Sequence, residues 1–443
     1  MQGTTVRIGR LAGAAAVLAL TTAAVWAAAG NLDATYGTSG VAVSTGQAGA
    51  ARAVATQGDG KALLGGARAT GQTTSTGAVQ RWRIERFDAA GAADTSYGSA
   101  GAVSLFGYEA GEELCDLRVD GAGRCVAAGS SNVAKGKGYA RVATVVRLSA
   151  SGALDTSFGS GGVVRLSVPN AQESSVRAIA LLANGSVVVA GHATISSRGT
   201  TAVYPFVARL TSSGVPDSAF GSSGITLDQR NAATVRSVGV QSTGAVVVGG
   251  NRTSSDTYVV RFLSNGSADT TFGVVASTSE QLRGLAVDAS DRIVVSGNAP
   301  KSGGAGATDG VAVRYLASGA RDTGFGSGGR TVLSSYETQS LETDPVFTSA
   351  GIVIAMGADR TTDGVLNADS TAAVRLLDAG GLDTGFGSGG VGDWVSLAGS
   401  SGLTWPVLSH GVAPTSGGAV IVGGRAQSAS VSQRWFLART LGD

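Results

Sequence analysis

Short runs of Val, Ile, Leu and Ala, punctuated by Gly, Asn, Ser and Asp, recur along the chain from about residue 40 to its end. One stretch shows the pattern: Gly162-Val-Val-Arg-Leu-Ser, Val176-Arg-Ala-Ile-Ala-Leu-Leu, Ser186-Val-Val-Val-Ala-Gly and Phe206-Val-Ala-Arg-Leu. β-Branched runs bounded by turn-forming residues read as strands, so the pattern predicts four strands per unit, termed a to d. Strand c is almost wholly apolar wherever it recurs (Ala245-Val-Val-Val, Ile352-Val-Ile-Ala, Ala419-Val-Ile-Val), which predicts sheets covered on both faces. Turn residues separate b from c in the manner of a hairpin (Gln57-Gly-Asp-Gly, Ala183-Asn-Gly, Gln241-Ser-Thr-Gly).

A second signal sets the period. Asp33, Asp94, Asp155, Asp217, Asp269, Asp322 and Asp383 each open a phrase of the type Asp-Thr-Ser-Phe-Gly, at intervals of 61, 61, 62, 52, 53 and 61 residues. Units of four antiparallel strands, covered on both faces and repeated seven times, predict an all-β, seven-bladed β-propeller of four-stranded blades, in which radial packing leaves only short edges. A β-solenoid is the alternative, but its coils are shorter than these units and it needs no hairpin between b and c. The phrase is read as the joint between strand d of one blade and strand a of the next. Its Asp closes an Asx turn and its Gly permits positive φ, while Tyr36, Tyr97, Phe158, Phe220, Phe272, Phe325 or Phe386 wedges between blades. Eight residues before each Asp from the second copy onward stands Arg86, Arg147, Arg209, Arg261, Arg314 or Arg375, and Arg439 holds the same place in the last strand. An arginine inside an apolar strand needs a carboxylate beside it. Asp94, Asp155, Asp217, Asp269, Asp322 and Asp383 are the obvious partners. One carboxylate per joint is too few for calcium, which takes several oxygen ligands.

The period of about 60 residues and the phrase Leu154-Asp-Thr-Ser-Phe-Gly-Ser-Gly-Gly resemble the delta-60 repeat family of exported bacterial proteins, over essentially all of residues 31 to 443. The resemblance implies an extracytoplasmic, propeller-like protein and carries no activity with it. The fifth copy departs from the phrase, with Ala276 in place of the second Gly, so an irregular blade is expected there.

Residues 1–29 differ from the rest. Arg7 and Arg10 precede an apolar run from Leu11 to Trp26, and Ala27-Ala28-Ala29 leads into Gly30, the make-up of a cleavable secretory signal. A membrane anchor is the competing reading of the same run; the mature chain, residues 30–443, is expected to form one domain with no transmembrane span. Export makes a disulfide between Cys115 and Cys125 chemically allowed, since the two flank an Asp-Gly turn. Their spacing, however, tends to place them on opposite sheet faces. The 33 Lys and Arg against 31 Asp and Glu give a formal charge of +2, so no net field draws the chain to nucleic acid.

In an antiparallel meander the d-to-a and b-to-c connections share one rim, and the a-to-b and c-to-d connections share the other. The second rim carries the variable segments Arg68 to Gln80, Ser130 to Ala140, His192 to Tyr204, Asn298 to Gly310 and Ala358 to Ser370, and variation among otherwise equal repeats marks a binding surface. Where strand b starts at this rim, one equivalent position holds Arg52, Arg177, Arg236 and Arg283, with Cys115, Thr343 and His410 in the other blades. Glu113, Glu173, Glu280 and Glu342 stand close by in sequence. Such a ring could take a carboxylate, a sulfate or a sugar acid, or serve only to pair blades. With His192 and His410 the sole histidines, multi-His metal centres are excluded. His192 reads as solvated surface and His410 as a packed residue. No catalytic residues, metal site or cofactor are assigned. The expectation is a secreted or periplasmic, monomeric, non-enzymatic propeller that binds a glycan, a peptide or an envelope protein. The alternative is a propeller lactonase, lyase or glycosidase with acids and calcium at the axial mouth.

Overall fold

The computed structural model describes residues 29–442 except 45–48, 76, 108–109, 137, 198, 230–231, 254–255, 273, 278–279, 303–306, 337, 363–364, 394, 396–406, 416–417 and 427–433. The expected signal segment lies outside the described residues but for Ala29. Seven antiparallel sheets of four strands stand around an axis as a β-propeller. Blade 1 runs outward through Gly49–Thr56, Ala62–Thr74, Gly77–Phe87 and Ala102–Leu105. Blade 2 uses Glu113–Val119, Cys125–Lys135, Gly138–Leu148 and Val163–Arg165. Blade 3 uses Glu173–Leu181, Val187–Ser197, Thr200–Leu210 and Ile225–Leu227. Blade 4 comprises Thr234–Val240, Val246–Thr253, Asp256–Phe262 and Val274–Ser277. Blade 5 comprises Gln281–Val287, Ile293–Pro300, Thr308–Tyr315 and Arg330–Leu333.

These boundaries correct the expected joint. The repeated phrase does not lead from one blade to the next; it turns the third strand of a blade into its own fourth strand, so each blade is b, c, d and then a of the following unit. In blade 2 the Asp155 N–H donates to Arg147 O and the Arg147 N–H to Gly162 O, folding the phrase back on the strand it leaves. Gly159 (φ +56°) and Gly162 (φ +93°) make the reversal, and a Cβ on Gly159 would stand 2.6 Å from Val163 O. The frame shift is resolved at the seam. The last blade takes Val407–Pro414, Val420–Ala426 and Arg434–Arg439 from the end of the chain and Val41–Val43 from its start, with Val41 opposite Ala438 and Val43 opposite Phe436.

The fifth copy, expected to be irregular, still delivers a regular outer strand to blade 4. The interruption falls in blade 6, whose inner strand is split into Gln339–Leu341 and Val346–Phe347, beside Ile352–Thr362 and Val365–Leu376. Four of the five variable segments are not plain loops either. In blades 1, 2, 3 and 6 strands c and d continue as hairpin arms whose pairing runs out to Thr74 opposite Gly77, Lys135 opposite Gly138, Ser197 opposite Thr200 and Thr362 opposite Val365.

Each joint latches two blades. Arg147 Nε meets Asp155 Oδ2 at 2.7 Å and Nη2 meets Ser157 Oγ at 3.0 Å, while Nη1 reaches across to Ser212 O of blade 3 at 2.5 Å. Its guanidinium lies over Phe158 at 4.6 Å. Phe158 is fully buried among Val187, Val189 and Phe206 of blade 3, worth about 1.5–3 kcal/mol in transfer terms. The same Arg–Asp pair and the same stacking recur in all seven blades: Arg86 with Asp94, Arg209 with Asp217, Arg261 with Asp269, Arg314 with Asp322, Arg375 with Asp383 and Arg439 with Asp33. Each Asp also accepts the N–H two residues on, as at Ser157 and Thr271. Hydrogen bonds from Thr271 and Arg261 outweigh burial and hold Asp269 down to about 2.

The two cysteines are free. Cys125 sits opposite Val119 in the core between blades 1 and 2, where burial lifts its thiol to about 12. Cys115 is four residues up the strand from Val119, roughly 13 Å at strand rise, beyond the Cα separation a disulfide spans. The disulfide expectation is therefore overturned by register.

Candidate functional site

The inner strand of six blades carries one residue too many. The ladder skips Arg52 in blade 1, Cys115 in blade 2, Arg177 in blade 3, Arg236 in blade 4, Arg283 in blade 5 and His410 in the last blade. Such a bulge re-aims a side chain, and here it turns each residue toward the axis. The bulge also pushes a carbonyl against the next strand, which must be bare there. A Cβ on Gly129 would lie 1.9 Å from Glu113 O, on Gly191 2.1 Å from Ser175 O, and on Gly250 2.0 Å from Thr234 O. In blade 6 Thr343 holds the place, within the break of the inner strand.

The six bulge residues, with His192 and Glu342, line a chamber of about 290 Å³ at the rim that bears the hairpin arms. Glu113 accepts from Arg177 Nη1 at 3.1 Å, and Glu342 lies 3.9 Å from Arg283 Nε. Arg52 and Arg236 pair with no carboxylate among the described residues. Burial lowers the pKa of Arg236, helped by the charges of Arg283, Arg177 and Arg52. Desolvation, with Arg177, Arg141 and Arg236 nearby, depresses His192 to about 4; desolvation, with Arg52 and Arg425, depresses His410 to about 3. Both rings are therefore neutral at ordinary pH, and His192 Nδ1 and His410 Nε2 are buried without a hydrogen-bond partner. Burial raises the Cys115 thiol against the pull of Arg177, whose Nη1 is 3.4 Å from Sγ.

Below the chamber an axial channel of about 530 Å³ runs on past Asp116, Arg118 and Asp344 toward Thr56 and Pro414. Arg118 of blade 2 spans it, with Nη1 2.8 Å from Asp116 Oδ1 and Nη2 3.0 Å from Asp344 Oδ2 of blade 6. Asp116 takes the Ile179 N–H of blade 3 at 2.8 Å, while Asp344 takes the Leu285 N–H of blade 5 at 3.1 Å and the Ser237 hydroxyl of blade 4. Five blades meet on this axial pin. Burial, abetted by Asp344, lifts Asp116 to about 6 although Arg118 and two N–H groups oppose it.

Of the residues singled out in the sequence, Arg52, Arg177, Arg236, Arg283 and His410 converge on the chamber. Glu173 and Glu280 do not: Glu173 bonds Arg141 of blade 2 at 2.9 Å on the rim, and Glu280 bonds Arg330 at 2.8 Å. His192, read as solvated surface, is instead a chamber wall. It stands directly beyond Gly191, and the glycine that admits the bulge was the available signal. The pin escaped notice too, although Asp116-Leu-Arg118 puts two charges where blade 3 has Ala178-Ile-Ala.

Fold and chamber together define a seven-bladed β-propeller with a cationic axial pocket at its variable rim. A domain-family profile described as "Domain of unknown function (DUF5122) beta-propeller" matches residues 182–220 and 241–272, which identifies the repeat as a propeller repeat. No curated protein matches the chain. Solved structures similar to it include a protein of unknown function from Dyadobacter fermentans DSM 18053, at 11% identity over 91% of this chain and 98% of that one, TM-score 0.43. Others are the polysaccharide lyase Uly1, at 9% identity over 95% and 94%, TM-score 0.44, and Drosophila Semaphorin 2a, at 7% identity over 90% and 75%, TM-score 0.48. Among the described residues no helix is long and apolar enough to cross a membrane, and no three His, Cys, Asp or Glu cluster as metal ligands would.

Proposed function

We propose that this chain is an exported, monomeric member of the delta-60 repeat family that works as a non-enzymatic binding module, engaging an envelope or extracellular glycan through the rim of hairpin arms. One observation carries the reading: differences between blades are concentrated on that rim, where four arms project, while the opposite rim bears seven copies of one latch. A rigid ring with one variable face is a scaffold for recognition. The chamber's chemistry points the same way. A glycosidase needs two carboxyl groups free to act as acid and base or nucleophile, whereas Glu113 and Glu342 each face an arginine and both histidines are held neutral.

The test is an array of neutral and acidic glycans probed with the mature chain, with products assayed in parallel. Binding without new reducing ends or unsaturated sugars, lost when the blade 1 and blade 3 arms are cut back to the length of the blade 4 hairpin, is the expected result. Calcium-dependent cleavage, or binding indifferent to the arms, would overturn it.

A further inference from the structure

We infer that the axial chamber is a binding site for a small oxyanion, the carboxylate or sulfate of an acidic sugar being the chemistry that fits it. The inference deepens the binding reading above and rests on it. Four guanidinium groups face two carboxylates, which leaves two positive charges over, those of Arg52 and Arg236. Like charges gathered in a pocket repel. The conformation persists because the backbone bulge under each of the four arginines, seated against the next strand, fixes the direction of its side chain in advance. A site organised before its ligand arrives loses little ordering entropy on binding.

Two oxygens of a carboxylate or sulfate match the fork of a guanidinium, and such a group would answer both unpaired arginines. His192 and His410 contribute neutral rings to the same wall. At about 290 Å³ the chamber lies at the small end of ligand pockets, about 300–1,000 Å³, room for one ring and no more. Arg118 crosses the channel on the far side and the chamber lies at the rim of arms, so the group is expected to enter from that rim, as the terminal or exposed residue of a longer chain.

The experiment is calorimetric titration of the mature chain with sodium sulfate, inorganic phosphate, glucuronate and glucose at constant ionic strength, repeated on R52A/R236A and R52K/R236K. Saturable binding of sulfate and glucuronate, absent for glucose and weakened about tenfold or more in R52A/R236A, is expected. The double variant should also melt higher than the parent, because removing two repelling charges relieves the ring, and this shows that it folds. Glucuronate binding tighter than sulfate assigns the site to a sugar acid, and equal binding assigns it to the free anion. No heat at about 10 mM ligand, or equal affinity in R52A/R236A, overturns the inference. If anions fail to bind while the arms still hold the glycan array, the chamber falls and the module stands; the reverse outcome condemns the module alone.

Discussion

Replacing Arg147 by Ala removes one latch of seven. The Arg147 side chain is 3% exposed and that of Asp155 15%, so the substitution strips the closer partner from a part-buried carboxylate, which keeps Arg124 at 3.6 Å, and from Ser212 O. Breaking a buried pair costs about 3–5 kcal/mol. Asp155 keeps its bonds from the Ser157 N–H and hydroxyl, which argues for the lower end, and lost stacking over Phe158 adds about 0.5–1 kcal/mol. The expected loss is about 3–4 kcal/mol. The internal control is Arg141→Ala: Arg141 and Glu173 make an equally short contact, 2.9 Å, but are 40% and 44% exposed, and exposed pairs contribute about 0–1 kcal/mol. Urea unfolding followed through the buried indoles of Trp82 and Trp435 reads both variants. Unfolding rates should accompany midpoints, since a chain of this size need not unfold in one step. An R147A variant within about 1 kcal/mol of R141A would refute the view that these joints, more than surface pairing, hold blades together.

Gly191→Ala puts a methyl 2.1 Å from Ser175 O and should cost about 2 kcal/mol or more while turning Arg177 out of the chamber; loss of sulfate affinity with intact folding elsewhere checks it. Reducing agent should leave the melting temperature unchanged and a thiol reagent should reach Cys125 only on unfolding; a fall of several degrees on reduction would restore the disulfide. Below pH 6.5 stability should decline, because His192 and His410, depressed to about 4 and 3, bind protons more readily when unfolded. Asp116, lifted to about 6, opposes this between pH 6 and its unfolded value, and the depressed joint carboxylates add a steeper loss only below about pH 4; a denaturation series from pH 3 to 8 tests the order. Sulfate should shift both histidine titrations upward, by offsetting Arg177, Arg141 and Arg236 around His192 and Arg52 and Arg425 around His410, as NMR of the ring protons would show.

Strand count, blade number and the Arg–Asp partnership were legible because each is local: alternation, turn residues and an eight-residue spacing are all contained within one repeat. The framing of the blade was not, since strand a pairs as readily in principle with d before it as with b after it, and only contacts such as Val41 with Ala438 decide. The ring of Arg52, Arg177, Arg236 and Arg283 could be read from equivalence of position. That these side chains leave the ladder at bulges could not, except through the glycines opposite. His192 was missed because it comes from a different strand, and Asp344 because it sits in the break peculiar to blade 6.

The seam has a consequence for how the ring is assembled. Val41–Val43 must wait without a neighbour until Arg434–Arg439 exists. Sequence distance is a mild obstacle, since each doubling of a loop costs only about 0.6 kcal/mol; order of events is the severe one. A chain arrested before its last forty residues would be an open arc with two raw edges, the kind of template on which strands of other molecules add. Three residues of β-structure at one end thus act as a clasp, and whether it snaps shut separates a closed bracelet from a seed for aggregation.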